Sequence, residues 1–196
     1  MRALYATVAS LLLLLIPLTS PYSGPEVQEE TMEDELPVNP GSISPYDHLI
    51  RHVADSIGWD WRLLSAVVYH ESRFHNEAQS HKGAVGLMQI LSSRYTTDYL
   101  LNPAANLTVG SRYLLKLENM FRPMAANDKD AVMFALAAYN VGEGRVRQLI
   151  RETGDAGEDA TRWAVVSHHL PKGHHTVSYV ENVLDTYAEY ARTYPR

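Results

Sequence analysis

The chain has 196 residues, 45% of them hydrophobic and 20% charged, with no cysteine and a formal net charge of −6. That length fits one domain with a tail, and the missing cysteine excludes disulfide scaffolds, thiol nucleophiles and thiolate metal sites. The acidic balance argues against a nucleic-acid binder, which needs a basic field to displace phosphate counterions.

Charge is unevenly placed along the chain: residues 1–20 carry +1, residues 21–44 carry −6 and residues 45–196 carry −1. The first segment opens with Met1-Arg2 and a nearly unbroken apolar run centred on Leu11 to Ile16, the shape of a secretory signal. The run from Ala3 to Leu18 is shorter than the roughly 20 residues of a membrane-spanning helix, so export is expected, with an uncleaved anchor as the alternative. Residues 21–44 hold four prolines, two glycines and six acidic residues without apolar periodicity, which predicts a disordered linker.

Folding signals begin at Ser44-Pro45-Tyr46-Asp47, read as an N-cap, a proline at the first helical position and a first-turn acid. Tyr46, Leu49, Ile50, Val53, Ala54 and Ile57 then recur along one helix face, and Gly58 stops it. A second helix opens at Asp60 and runs through Leu63, Leu64, Val67, Val68 and Glu71. Asn106 is expected to cap a third, with Gly110, Tyr113, Leu114, Leu117 and Phe121 on one side, and Asp130 a fourth through Phe134, Ala135 and Ala138. The last is predicted from about Thr176, with Val177, Val180, Leu184, Tyr187 and Ala191 inward. Glycine-bearing loops are expected at 83–86, 142–144 and 154–157, and no alternating strand pattern occurs. The prediction is one mainly α-helical domain over residues 45–196.

Glu71 lies three, four and seven positions after Val68, Val67 and Leu64, so it points the same way as the core-facing residues. Burial and the negative end of the helix dipole both disfavour its ionised form, which is what a general acid working near neutral pH requires. The alternative is a boundary glutamate reaching water or pairing with Arg73. A zinc-protease reading of His70-Glu71-Ser72-Arg73-Phe74-His75 fails, because the two histidines are five apart and diverge by about 140° round a helix. His168-His169 and His174-His175 are expected in a loop as surface or substrate-facing residues, and no metal site is predicted.

The run Glu71-Ser72-Arg73-Phe74, then Ser80, then Gly83-Ala84-Val85-Gly86-Leu87-Met88-Gln89-Ile90 closely resembles the catalytic signature of the soluble lytic transglycosylase family, relatives of goose-type lysozyme. Three further stretches match in order: Asn102-Pro103 with Asn106, Gly110, Tyr113 and Leu114; Ala137-Ala138-Tyr139-Asn140 with Gly142; and Gly173-His174 with Tyr179-Val180. Pro45-Tyr46-Asp47 and Asp60-Trp61-Arg62-Leu63-Leu64 are similar to the catalytic domain of the branch of membrane-bound lytic murein transglycosylase F.

This resemblance implies a lysozyme-like helical domain with an active-site groove. The activity it implies is non-hydrolytic cleavage of the β-1,4 bond between N-acetylmuramic acid and N-acetylglucosamine in peptidoglycan, leaving a 1,6-anhydro ring. Glu71 matches the family's single acid and base. Ser80, Gly86, Met88, Gln89, Tyr139, Asn140 and Tyr179 match substrate-binding positions, with Met88 and Gln89 lining the groove. The tyrosine hydroxyl placed beside the acid would be that of Tyr139, with Tyr179 reaching the same site from the last helix. On the residues alone, Ser80, Gly83 and Gly86 read equally as turn residues and Tyr139 as a core tyrosine.

No cofactor is expected. The expected partners are peptidoglycan glycan strands and other cell-wall enzymes, with no nucleic acid, and the expected state is a monomer in the periplasm or cell envelope. A water-using lysozyme and a catalytically silent peptidoglycan-binding protein are the competing functions. His70, His75-Asn76 and Ser92 depart from the family's usual glutamine, Asn-Pro and proline, which bears on substrate preference. The 24 residues of the linker leave no room for the solute-binding-like domain of the F branch, so control by a bound peptide is not expected.

Overall fold

A computed structural model describes residues 41–91 and 93–196; the expected signal, most of the linker and Ser92 lie outside the described residues. Eight helices follow in order: α1 (Asp47–Ile57), α2 (Trp61–Ser72), α3 (Thr97–Leu101), α4 (Pro103–Phe121), α5 (Asp128–Val141), α6 (Glu143–Asp155), α7 (Trp163–Val166) and α8 (His175–Thr193). Single 3₁₀ turns cover Arg122–Met124 and Ser167–His169. The described residues form no strand, only isolated backbone pairings of Val85 with Gln79 and Ile90 that close the long α2–α3 connection on itself. No described helix is long and apolar enough to cross a membrane.

The α5 helix is the centre of the fold. Ala131, Phe134, Ala135, Leu136, Ala137 and Ala138 are all fully buried, so apolar surface runs round most of the helix rather than along one stripe. Its alanines let α4, α6 and α8 approach closely. Phe134 fills the remaining space between Phe121 and Trp163, with ring centroids 6.0 Å away on either side. Alongside, α2 packs against α8, and α1 bridges α2 and α4.

Helix starts differ from the sequence reading in three places, each because a side chain has a partner the local pattern does not show. Ser44 does not cap α1: the Asp47 carboxylate folds back to accept from the Ile43 and Ser44 amides and the Ser44 hydroxyl, all at 2.9 Å, and the helix begins at Asp47. The third predicted helix, α4, is capped by Asn102, whose side chain accepts from the Ala105 amide at 3.0 Å, with Pro103 opening the first turn. Asn106 is inside that helix. Likewise α5 is capped by Asn127, and Asp130 is a buried carboxylate accepting from the Trp163 amide at 2.9 Å. Asp60 and Gly58 behave as predicted, Asp60 capping α2 and Gly58 ending α1 in the left-handed conformation.

The whole of α6 occupies a stretch for which only flanking loops were expected. Gly142, at φ +92°, turns the chain out of α5, and Val146 and Leu149 then anchor the new helix in the core.

Candidate active site

Glu71 stands in the last turn of α2, on the face that α8 covers. The Tyr179 hydroxyl on α8 donates to Glu71 Oε1 at 2.6 Å. Burial pushes the Glu71 carboxyl up to about 7, against the smaller opposing pull of the Tyr179 hydrogen bond. The pairing with Arg73 does not form. Arg73 ends the helix in the left-handed conformation, at φ 54°, and its guanidinium lies over the Tyr69 ring, 4.0 Å from the centroid. No salt bridge to Glu71 occurs among the described residues. The result is a carboxylic acid on the border of charge at neutral pH, with a donor on one oxygen.

The Tyr139 hydroxyl has a different partner from the one expected. It donates to the Met88 backbone carbonyl at 2.6 Å, while Tyr179 takes the place at the acid. Both phenols are partly buried within the field of Glu71, and desolvation first, then that carboxylate, holds each well above its ordinary range. They therefore stay protonated and act as fixed donors. Tyr139 packs its ring against Tyr113 at 5.7 Å, and Tyr113 donates to Glu143 at 3.0 Å.

The loop between α2 and α3 supplies the other matched residues, and Asn106 organises it. The Asn106 side chain accepts from the Met88 amide at 2.8 Å and donates to the carbonyls of Val85 at 2.9 Å and Leu100 at 2.8 Å, all buried. Gly86 must be glycine here: its φ is +77°, and a Cβ would stand 2.1 Å from Asn106 Nδ2. Met88 corrects an expectation. Its side chain is fully buried against Gly110, so it fills the core instead of lining a groove, and its amide and carbonyl serve the loop. Gln89 takes φ 47° and donates through its amide nitrogen to Ala78 at 3.0 Å and Gly86 at 3.1 Å. Ser80 closes the turn, its hydroxyl accepting from the Ala84 amide at 3.0 Å.

Asn140 lies where α5 ends and accepts from the buried Thr176 hydroxyl at 2.8 Å, tying α5 to the start of α8 three residues before Tyr179. Thus Glu71 and Tyr179 meet directly, Tyr139 and Met88 form a second pair, and Asn140, Gln89, Gly86 and Ser80 hold the surrounding backbone. Asn106 is the residue that sequence reasoning misplaced. The signal was present: it sits four and eight residues before Gly110 and Leu114, a polar group on the apolar stripe, as Glu71 is on α2.

The histidines serve other purposes. His70 pairs with the Thr186 hydroxyl at 2.8 Å, whereas His75 turns back to the Ser72 carbonyl at 3.0 Å. His174 caps α8 by accepting from the Thr176 amide at 3.2 Å, and its ring stacks on His175. Among the described residues no group of three or more His, Asp or Glu side chains is arranged to hold a metal ion.

The fold is that of solved lytic transglycosylases. An inactive glutamate-to-glutamine mutant of Slt from Pseudomonas aeruginosa superposes with a TM-score of 0.59 at 29% identity, over 74% of this chain and 24% of that one. The 70 kDa soluble lytic transglycosylase of Escherichia coli gives 0.61 at 26% identity, over 75% and 24%. These neighbours define the class, a mainly helical, lysozyme-like domain of the lytic transglycosylases. The family follows from the sequence match: residues 48–161 fit the Transglycosylase SLT domain, and the chain belongs to that family. Curated relatives include membrane-bound lytic murein transglycosylase F from Desulfosudis oleivorans, 34% identical over 71% of this chain, and from Marinobacter nauticus, 33% identical over 70%. The chain spans about a third of their length, 35% and 31% respectively.

Proposed function

We propose that the protein is a peptidoglycan lytic transglycosylase in which Glu71 is the only acid and base. The observation that carries this reading is the Glu71 carboxyl itself: half-buried, without a cationic partner among the described residues, held near half-protonation at neutral pH, and bound at one oxygen by the Tyr179 hydroxyl. An acid poised near the working pH can give a proton in one step and take one in the next. The names of the relatives, the family match and the inactive glutamate-to-glutamine mutant of the Pseudomonas protein support the same assignment.

In this mechanism Oε2, the oxygen not engaged by Tyr179, carries the proton toward the glycosidic oxygen. The bond from that oxygen to C1 of the muramic residue breaks, and N-acetylglucosamine leaves as the alcohol. The 2-acetamido group of the substrate stabilises the cationic C1. The Glu71 carboxylate, now stabilised by the donated Tyr179 hydrogen bond, takes the proton from the 6-hydroxyl as O6 closes on C1. Glu71 ends protonated, ready for another cycle, and no water is consumed. A single carboxyl suffices because the nucleophile belongs to the substrate, in contrast to the paired carboxyls of ordinary glycosidases.

The test is the mass of the muropeptides released from purified sacculi. Products lacking one water and without a reducing end are expected, and Glu71→Gln should abolish their release. Reducing-end products would assign the attack to water and make the protein a lysozyme. Undiminished release by the variant would move the acid elsewhere.

A further inference from the structure

Among the described residues, the large hydrophobic side chains that stand exposed all fall within nine positions: Leu91 at 68%, Tyr95 at 36% and Tyr99 at 48%. Exposed apolar groups that are gathered rather than scattered mark binding surfaces, and two of these three are gathered. Tyr95 and Tyr99 are stacked, with ring centroids 5.3 Å apart and planes within 12°. They brace each other as a stack instead of standing as two loose side chains, and each ring keeps one outer face and a hydroxyl.

This pair is held rigidly to the loop of the candidate site. Tyr99 lies on α3, which is capped by Thr96 and tied at its end by two buried or partly buried amides, Asn106 donating to Leu100 at 2.8 Å and Asn76 to Leu101 at 2.6 Å. The same Asn106 holds Val85 and Met88, so one side chain ties α3 to the loop carrying Gln89. Leu91 continues directly from Ile90, which pairs with Val85, and its side chain lies 3.9 Å from the position of a Cβ on Gly83.

We propose that the stacked Tyr95 and Tyr99 form a stacking platform for a sugar ring of the glycan strand beyond those at the scissile bond. A β-linked pyranose presents apolar C–H faces bordered by hydroxyl and acetamido groups. A phenol matches both, with its ring against the face and its hydroxyl at the rim. The platform is small and aromatic, and it is continuous with the loop beside the acid, which fits successive units of one polymer better than a second protein. This inference rests on the transglycosylase reading in one respect, that the substrate is a long strand.

The test uses purified sacculi and short N-acetylglucosamine oligomers as probes in a Glu71→Gln background, where binding is read without cleavage. Tyr95→Ala/Tyr99→Ala should weaken binding to sacculi about tenfold, the effect of losing roughly one ring stack, without moving the thermal unfolding midpoint. Tyr99→Trp should restore it. With Glu71 intact, the double variant should raise KM for long strands and leave kcat as it was. Binding of the double variant equal to its parent overturns the platform, as does an equal loss on short oligomers and sacculi. Failure of the catalytic reading shows separately, as absent or reducing-end products with the binding difference preserved.

Discussion

At the scale of single residues, the proposed chemistry turns on the environment of one carboxyl. The folded protein keeps a proton on Glu71 that the unfolded chain has released, in the window between the ordinary glutamate value of 4.5 and about 7. Folding stability from this group therefore falls as pH rises through that window, and the cost is complete above it. Glu71→Gln, uncharged throughout, should gain stability over the parent as pH increases, approaching roughly 3 kcal/mol above neutrality. Urea unfolding at pH 4 and pH 8 checks this, and a pH-independent difference would contradict it. Tyr179→Phe removes the interaction that lowers the Glu71 carboxyl, so the acid should hold its proton to higher pH. The alkaline limb of kcat/KM against pH should shift upward while kcat falls, because the carboxylate formed after proton transfer loses its donor. An unmoved limb would separate Tyr179 from the acid.

At the scale of elements, the loop between α2 and α3 is ordered by a side chain outside it. Replacing Asn106 by alanine strands the Met88 amide and the Leu100 carbonyl in the core and leaves the Val85 carbonyl only its bond from the Ile90 amide, and should cost about 3 kcal/mol. Asn106→Asp should fare no better, since a carboxylate cannot donate to two carbonyls. Denaturant midpoints of both variants, against Asn102→Ala as an ordinary cap loss of about 1 kcal/mol, make the comparison. Much of the architecture was legible in the sequence because apolar spacing dominates α1, α2, α4, α5 and α8. The α6 helix was not, because Gly144, Gly154 and a highly charged composition leave only Val146, Leu149 and Ile150 as an apolar signal. Short α3 and α7 offer too few turns to show a period. For the site, Glu71 could be found from its place on an apolar stripe. Which tyrosine reaches it could not, because the answer depends on how α8 lies against α2, 108 residues away in sequence.

At the scale of the molecule, α2 and α8 are joined at both ends. Arg62 spans Asp60 at 2.6 Å and the Tyr194 carbonyl at 2.9 Å, and Tyr187 donates to Asp60 at 3.2 Å. Burial acts to raise the Asp60 carboxyl, but Arg62 and Tyr187 together hold it below the usual range, so this latch acts above that range and is lost as pH falls through the lowered value. Arg62→Ala should lower the unfolding free energy by about 2 kcal/mol. Its kcat/KM profile against pH should keep its limbs, because Tyr179 is fixed separately through Thr176 and Asn140. A shifted limb would show that the latch sets the acid. The long sequence interval between Glu71 and Tyr179 also has a meaning for synthesis. A ribosome-bound chain that has released α2 but not α8 displays the glutamate as an ordinary solvated carboxylate, with neither cover nor donor. On the proposed mechanism, turnover is thus withheld until α8 has docked against α2. In refolding experiments the return of turnover should coincide with the slowest structural phase.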